Sequence, residues 1–270
     1  MPATISAKDV AKLRQASGLG MMECKKALTE AEGDFDRAAE IIRTKYKTKM
    51  EGRSDRESTE GRVAIAVAPG RAKAALVQIN TETDFTANND KFIDMAQKVA
   101  DLALDTEPGD VAANDAMNAA IDEVKLVTQE NIQFGQGKVF GGPGKTVGSY
   151  AHFTGRTGVL VEVQGECPED VLKDLCMHVS AIVPAPLGVS EDDIPAEAVE
   201  AEKKIALKDA IDSGKPQEIA EKMVTGKMRK YLDSVALLRQ PFVKDDKKQV
   251  KDILPAGATI TQFVKYQVGG

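Results

Sequence analysis

Residues 61–92 read GRVAIAVAPGRAKAALVQINTETDFTANNDKF. Val63, Ile65 and Val67 alternate with small residues, and Pro69-Gly70-Arg71 has turn chemistry. The apolar run through Ala74, Leu76 and Ile79 then returns, so the spacing predicts a β-hairpin. From 89 to 104 the period becomes helical, with Phe92, Met95, Ala96, Val99 and Leu102 on one face. Asp84 and Phe85 stand at the junction of strand and helix. A bare phenylalanine in a polar loop is costly to expose, so it either packs beneath the loop or docks into a partner.

Working outward, a second helical stretch covers about 111–128, and then the arrangement recurs. Gly148-Ser-Tyr-Ala-His-Phe, a Gly155-Arg156-Thr157 turn and Gly158-Val-Leu-Val-Glu-Val make another hairpin. A helix carrying Leu172, Leu175, Cys176 and Val179 follows it. GRAKAALVQIN at 70–80 against GRTGVLVEVQG at 155–165, and DMAQKVA at 94–100 against DLCMHVS at 174–180, point to a diverged duplication of one hairpin-plus-helix unit. Pro184 and Pro186 end that unit. Residues 195–212 and 216–233 read as two helices split by Ser213-Gly214-Lys215-Pro216, with Pro216 suited to a first turn. So short a connection favours an antiparallel helical hairpin sealed by Ile205, Ile211, Ile219, Met223 and Leu232. Alternation returns at 258–268, so the last strand completes the second sheet and the hairpin is an insertion.

The N-terminal 46 residues carry a different pattern, that of three short helices. Ser6 and Asp9 have capping-box spacing, and Val10 and Leu13 begin an apolar face. Gly18 and Gly20 break the first helix, Gly33 ends the second, and Asp34 can cap the third. Residues 47–60 are almost wholly polar and read as a linker or exposed arm. The fold expected is α+β: a three-helix domain at 1–46, a linker at 47–60, and a duplicated core of small antiparallel sheets with helices. The core halves are 61–145 and 146–190 with 236–270, and the hairpin insertion is 191–235.

Composition excludes several function classes. A chain of 270 residues with net charge −6, no Trp and 4% aromatic content is a poor phosphate-backbone binder or base stacker. No apolar run is long enough to span a bilayer, and the first residues lack the regions of a signal peptide. Cys24, Cys167 and Cys176 fit neither a disulfide framework nor a zinc site, so the expected location is a reduced cytoplasm. With two histidines, His152 and His178, and no His-Glu-x-x-His motif, no metal is expected. A Cys176–His178 nucleophile pair is conceivable, but both lie in an apolar helical run where an inert role is the ordinary outcome. The glycine tract 135–144 fails the phosphate-loop spacing at Val139 and the dinucleotide pattern at Phe140, and reads as a flexible loop. No cofactor is expected.

Gly18-Leu-Gly-Met-Met-Glu-Cys-Lys-Lys-Ala-Leu resembles the N-terminal signature of the bacterial elongation factor Ts family, and Thr83-Asp-Phe resembles its second signature. Gly148-Ser-Tyr-Ala-His, Met177-His-Val-Ser-Ala, Gly214-Lys-Pro-Gln-Glu-Ile-Ala-Glu-Lys-Met-Val and Gln240-Pro-Phe-Val match in order and approximate spacing, from about residue 5 onward. The resemblance implies a guanine-nucleotide exchange factor for elongation factor Tu. The fold it implies has a ubiquitin-associated-like (UBA-like) N-terminal domain, a duplicated core and an inserted helical hairpin.

The resemblance also assigns residues. Met21 and Met22, with Leu13 and Leu19, correspond to a surface that packs on the partner's GTP-binding domain. Consecutive helical residues point about 100° apart, so one methionine is expected to share the bundle core. Asp84, Phe85, Thr86, Ala87 and Asn88 correspond to the segment that intrudes beside the partner's magnesium site. His152 falls where the family reaches the partner's third domain, although a satisfied structural histidine is an equal alternative. Many family members carry Val and a basic residue where this chain has Thr86 and Asn88, which leaves Phe85 more of the work. Paired arginines usual after Asn131-Ile132 are replaced by the glycine tract, and a partner contact through the extra C-terminal helix of some members is not expected. Two other readings are a plain binding module and an enzyme using Cys176 or Asp84. Dimerisation through the helical hairpin is a further possibility.

Overall fold

A computed structural model describes residues 5–51, 56–212, 214 and 216–269, with backbone alone over 46–51. The protein is mixed α and β: three N-terminal helices precede small antiparallel sheets with helices packed on them.

Helix α1 (Ala7–Ser17) starts at Ser6, whose Oγ accepts the Asp9 N–H at 3.1 Å, and ends at Gly18 with φ 70°. A side chain at Gly18 would meet Val127 at 2.8 Å, so the glycine serves both the left-handed cap and a close approach to the core. Helix α2 (Met21–Glu30) and helix α3 (Phe35–Glu51) complete the bundle, and Asp34 accepts the Arg37 N–H at 3.0 Å to start the third. Their interior is Val10, Leu13, Leu19, Cys24, Ala27, Leu28, Ala38 and Ile42, all buried. Helix α3 runs to Glu51, so the first residues of the polar stretch 47–60 continue a helix instead of forming a linker; residues 52–55 of that stretch lie outside the described residues.

Strands β1 (Glu60–Val67) and β2 (Lys73–Thr81) form the hairpin expected from their period, turning at Pro69–Arg71. The short helix α4 (Asp84–Ala87), helix α5 (Asp90–Leu104), strand β3 (Gly109–Asp110), helix α6 (Asp115–Thr128) and strand β4 (Gln133–Gly141) follow, giving a sheet in the order β1-β2-β4-β3. The glycine tract is therefore mostly strand, not flexible loop. Gly137 is needed there because a Cβ would meet Phe134 at 2.8 Å and Val111 at 3.0 Å. The reading as a loop failed because glycines that relieve crowding in a strand look the same in sequence as glycines that give freedom.

Strands β5 (Lys145–Ala151) and β6 (Thr157–Gln164) form the second hairpin, and helix α7 (Glu169–Ala181) follows. Helices α8 (Ala196–Asp212) and α9 (Gln217–Val235) come next, with Pro216 at the N-cap position. Lys227 reaches Asp209 at 2.6 Å between them, and Ala206 and Ala210 are buried, whereas Ile205, Ile211 and Ile219 are exposed and do not seal the pair. Residues 213 and 215 of the connection lie outside the described residues. Strands β7 (Pro241–Phe242) and β8 (Asp245–Gln249) pair with each other, and β9 (Thr259–Gln267) joins β6, so the second sheet has the order β5-β6-β9.

The two larger sheets pack on each other through Val63, Ala74, Leu76, Phe140, Val147, Leu160, Tyr266 and Val268. Strand β2 is consequently buried on both faces: Ala75, Val77 and Ile79 meet α5 and α6, while Ala74 and Leu76 meet the other sheet. Glu162, fully buried on β6, fastens the junction. It accepts the Gly141 N–H at 2.9 Å, Lys145 Nζ at 2.8 Å, Thr261 Oγ1 at 2.6 Å and Gln262 Nε2 at 3.0 Å.

Candidate functional site

Strand β2 delivers the chain to Thr81, paired with Glu60 at the start of β1, and the backbone then winds through one turn of α4. Thr83 is its N-cap, with Oγ1 accepting the Thr86 N–H at 3.3 Å. A single helical turn cannot hold itself in water, so its geometry depends on what braces it.

The brace is a carboxylate from the far end of α6. Glu130 Oε1 accepts Thr83 Oγ1 at 2.7 Å and Thr86 Oγ1 at 2.6 Å, and Glu130 Oε2 accepts Thr81 Oγ1 at 2.8 Å and the Thr83 N–H at 3.1 Å. Gln129, with φ 59°, ends α6 in the left-handed conformation and turns the chain just before Glu130. The neighbouring residues reciprocate: the Asn131 N–H donates to Glu82 Oε1 at 2.7 Å, and Arg56 Nη1 lies 3.3 Å from Glu82 Oε2. Burial pushes the Glu130 carboxyl up, but the hydrogen bonds from Thr86, Thr83 and Thr81 outweigh it and hold the group below the ordinary glutamate range.

Fastened from below, α4 divides into two faces. Thr86 and Ala87 are buried and form the underside of the segment. Asp84 and Asn88 are exposed, and Asn88 Nδ2 donates back to the Asp84 carbonyl at 2.9 Å. Phe85 projects with 85% of its surface exposed. It does not pack beneath the loop, whereas Thr86 beside it belongs to the underside of the segment.

On the bundle, Met21 is 51% and Met22 77% exposed, so neither shares the core as expected. Cys24, Ala27 and Leu28 fill it instead. Leu13 and Leu19, which the resemblance groups with the methionines, are buried in the bundle interior.

His152 is half-buried at the β5–β6 turn, where Nδ1 lies 2.7 Å from Thr154 Oγ1. Beside it stands Phe153, 87% exposed, its ring centroid 4.3 Å from that of His152. This aromatic was not singled out from sequence, though a phenylalanine within a turn is the same kind of signal as Phe85. The turn abuts β1: the Val63 N–H donates to the Gly155 carbonyl at 2.8 Å, and Arg156 pairs with Glu60. Thr81 pairs with that same Glu60. The Phe85 helix and the Phe153 turn thus flank one end of β1.

His178 is fully buried. Its Nδ1 accepts the Val243 N–H at 3.2 Å, so Nε2 carries the proton toward Gln240 Oε1 at 3.0 Å. Burial lowers its pKa, with the Gln240 contact opposing, so the ring is held neutral. The Met177-His178 and Gln240-Pro-Phe-Val motifs meet at this contact. Burial raises the Cys176 thiol, and both nitrogens of His178 are occupied, so the two do not form a nucleophile pair. Among the described residues no group of three or more His, Cys, Asp or Glu side chains is placed to hold a metal, and no helix is long and apolar enough to cross a membrane.

Projecting apolar side chains on braced turns are the geometry of a protein that works by docking on another protein. The elongation factor Ts family model matches residues 82–270. The elongation factor Ts of Alkalilimnicola ehrlichii is 43% identical, covering 98% of this chain and 92% of that protein. That of Burkholderia thailandensis is 44% identical, covering 99% and 92%, and that of Halorhodospira halophila 42%, covering 98% and 92%. The chain belongs to the elongation factor Ts family, whose role in translation elongation is nucleotide exchange on elongation factor Tu.

Proposed function

We propose that this chain releases GDP from elongation factor Tu by a mechanical wedge, with Phe85 entering beside the partner's nucleotide site. The observation that carries the reading is the outward projection of Phe85 from a helix whose underside is fastened. Magnesium needs near-ideal octahedral geometry at about 2.0–2.1 Å, so a displacement of about one ångström in the partner's supporting segment spoils its coordination and loosens the β-phosphate. Asp84 and Asn88 flank the wedge, and Asp84 positions it or competes electrostatically. Linkage requires that GDP weaken the factor by the same ratio that the factor weakens GDP. The role needs no covalent step and no cofactor, and we assign no enzyme activity.

Met21 and Met22 serve as the second contact, because methionine adapts to an irregular surface, with Leu13 and Leu19 supporting them from beneath. His152 and Phe153 serve as the third. The chain acts in the cytoplasm on GDP-bound and nucleotide-free partner, without direct contact to nucleic acid.

The same reading divides the chain into a UBA-like bundle, core halves at 61–145 and at 146–190 with 236–270, and an inserted antiparallel helical hairpin at 191–235. Duplication of the core is supported by a shared plan. In each half the second hairpin strand is central, a register shift interrupts its pairing with the third strand at Gln78/Ile79 or Glu162/Val163, and a helix follows. The exposed Ile205, Leu207, Ile211 and Ile219 support self-association through the hairpin, which sedimentation of the free chain tests.

The wedge is tested by stopped-flow release of labelled GDP from elongation factor Tu. Phe85→Ala should slow the maximal rate while the complex still forms. Release as fast as with the unaltered chain overturns the wedge.

A further inference from the structure

Resting on the wedge reading, we propose that Glu130 is a positioning residue for nucleotide exchange, a fixed carboxylate that aims Phe85 without touching the partner. One side chain takes four hydrogen bonds from three threonines spaced along the segment, before, at and within α4. Thr83 Oγ1 is the pivot: it donates to Glu130 while accepting the Thr86 N–H, so the carboxylate fixes the orientation of the capping hydroxyl and thereby the start of the turn. Thr86 lies next to Phe85 and points inward, which sends Phe85 outward.

The anchor is itself held. Asn131 is buried; its N–H donates to Glu82 and its Nδ2 to the Arg56 carbonyl at 2.7 Å, while Ser58 Oγ donates to its carbonyl at 3.0 Å. Residues 81–86 and 130–131 therefore grip each other from both sides. A carboxylate suits the task because it only accepts, and three hydroxyls and one N–H only need an acceptor. A wedge converts binding energy into displacement only if it does not yield itself, so a loosened Phe85 still docks yet pushes less.

The test measures maximal rate and half-saturating concentration of GDP release from elongation factor Tu for Glu130→Gln, Phe85→Ala and the double variant. Glutamine keeps the shape but turns one acceptor into a donor. Glu130→Gln should cut the maximal rate about tenfold with little change in half-saturation, and should add less than about twofold in the Phe85→Ala background, as coupled residues do. Glu130→Asp should fall between the two, because it keeps the charge at a shorter reach. If Phe85→Ala is without effect, the wedge reading fails. If Phe85→Ala slows release but Glu130→Gln does not, or if Glu130→Gln slows it equally without Phe85, the positioning role is overturned. Should Glu130→Gln fold poorly, Thr81→Val removes one donor at 2.8 Å and must show the same maximal-rate effect in smaller measure; an unchanged rate counts against the role.

Discussion

The Thr86 hydroxyl donates to Glu130 at 2.6 Å across 44 residues of chain, one position away from a phenylalanine that points into solvent. Thr86→Val keeps the shape and removes that donor. A hydrogen bond to a charged group contributes about 1.5–3 kcal/mol, and half-burial of Glu130 places this one at the low end. The expected outcome is a fall in Tm of about 3–6 °C in thermal unfolding, with GDP release slowed less than by Phe85→Ala. An unchanged Tm would mean that the remaining three donors satisfy the carboxylate alone.

Glu162 joins the sheets with a buried charge that Lys145, Thr261, Gln262 and the Gly141 N–H all serve. Glu162→Ala leaves the Lys145 ammonium without its partner and should cost about 3–5 kcal/mol in denaturant unfolding. Burial pushes this carboxyl up, but Lys145, Thr261 and Gln262 together hold it below the ordinary value near 4.5. A depressed carboxyl contributes stability that is fully present above 4.5 and is lost as pH falls through the folded value. Unfolding curves below about pH 4.5 should therefore steepen in pH dependence for the parent chain and flatten for Glu162→Gln.

His178 titrates in a different window. Its folded value lies below the ordinary 6.5, so the unfolded chain takes up the proton first. Stability is full above 6.5 and declines as pH falls below it. Between about pH 7.5 and 5.5 the parent chain should lose Tm, and His178→Gln, which keeps a polar group toward Gln240, should lose less. Equal losses in both would assign the change to other groups.

How far the sequence carried these conclusions depends on the range of the interactions. Ser6, Asp34 and the Pro69–Arg71 turn act over three or four residues, and their structures match what was read from them. Phe85 was recognised as misplaced for a polar loop, and it is exposed. Glu130 was invisible because its partners lie 44 to 49 residues away and nothing in a lone glutamate marks the hydroxyls it collects. The apolar face begun by Val10 and Leu13 was legible from its helical period, and both are buried. The strand at Gln133–Gly141 was missed because its glycines answer crowding from Phe134, Val111 and Asn80, side chains brought there by the fold.

The bundle offers a test that separates contact from support. Met22 is 77% exposed and lies outside the buried cluster of the bundle, so Met22→Ala should leave Tm unchanged. If the methionines dock on elongation factor Tu, the same variant should weaken the complex about fivefold to thirtyfold, the range of an interface anchor worth about 1–2 kcal/mol. Leu13→Ala empties volume in the core of the bundle and should cost about 2–5 kcal/mol of stability there. Its effect on binding should follow the population of folded bundle and vanish at a temperature where the bundle is intact. Calorimetric titration at two temperatures, beside thermal unfolding of each variant, reads both quantities. Weakened binding by Leu13→Ala with the bundle fully folded would restore that leucine to the contact surface.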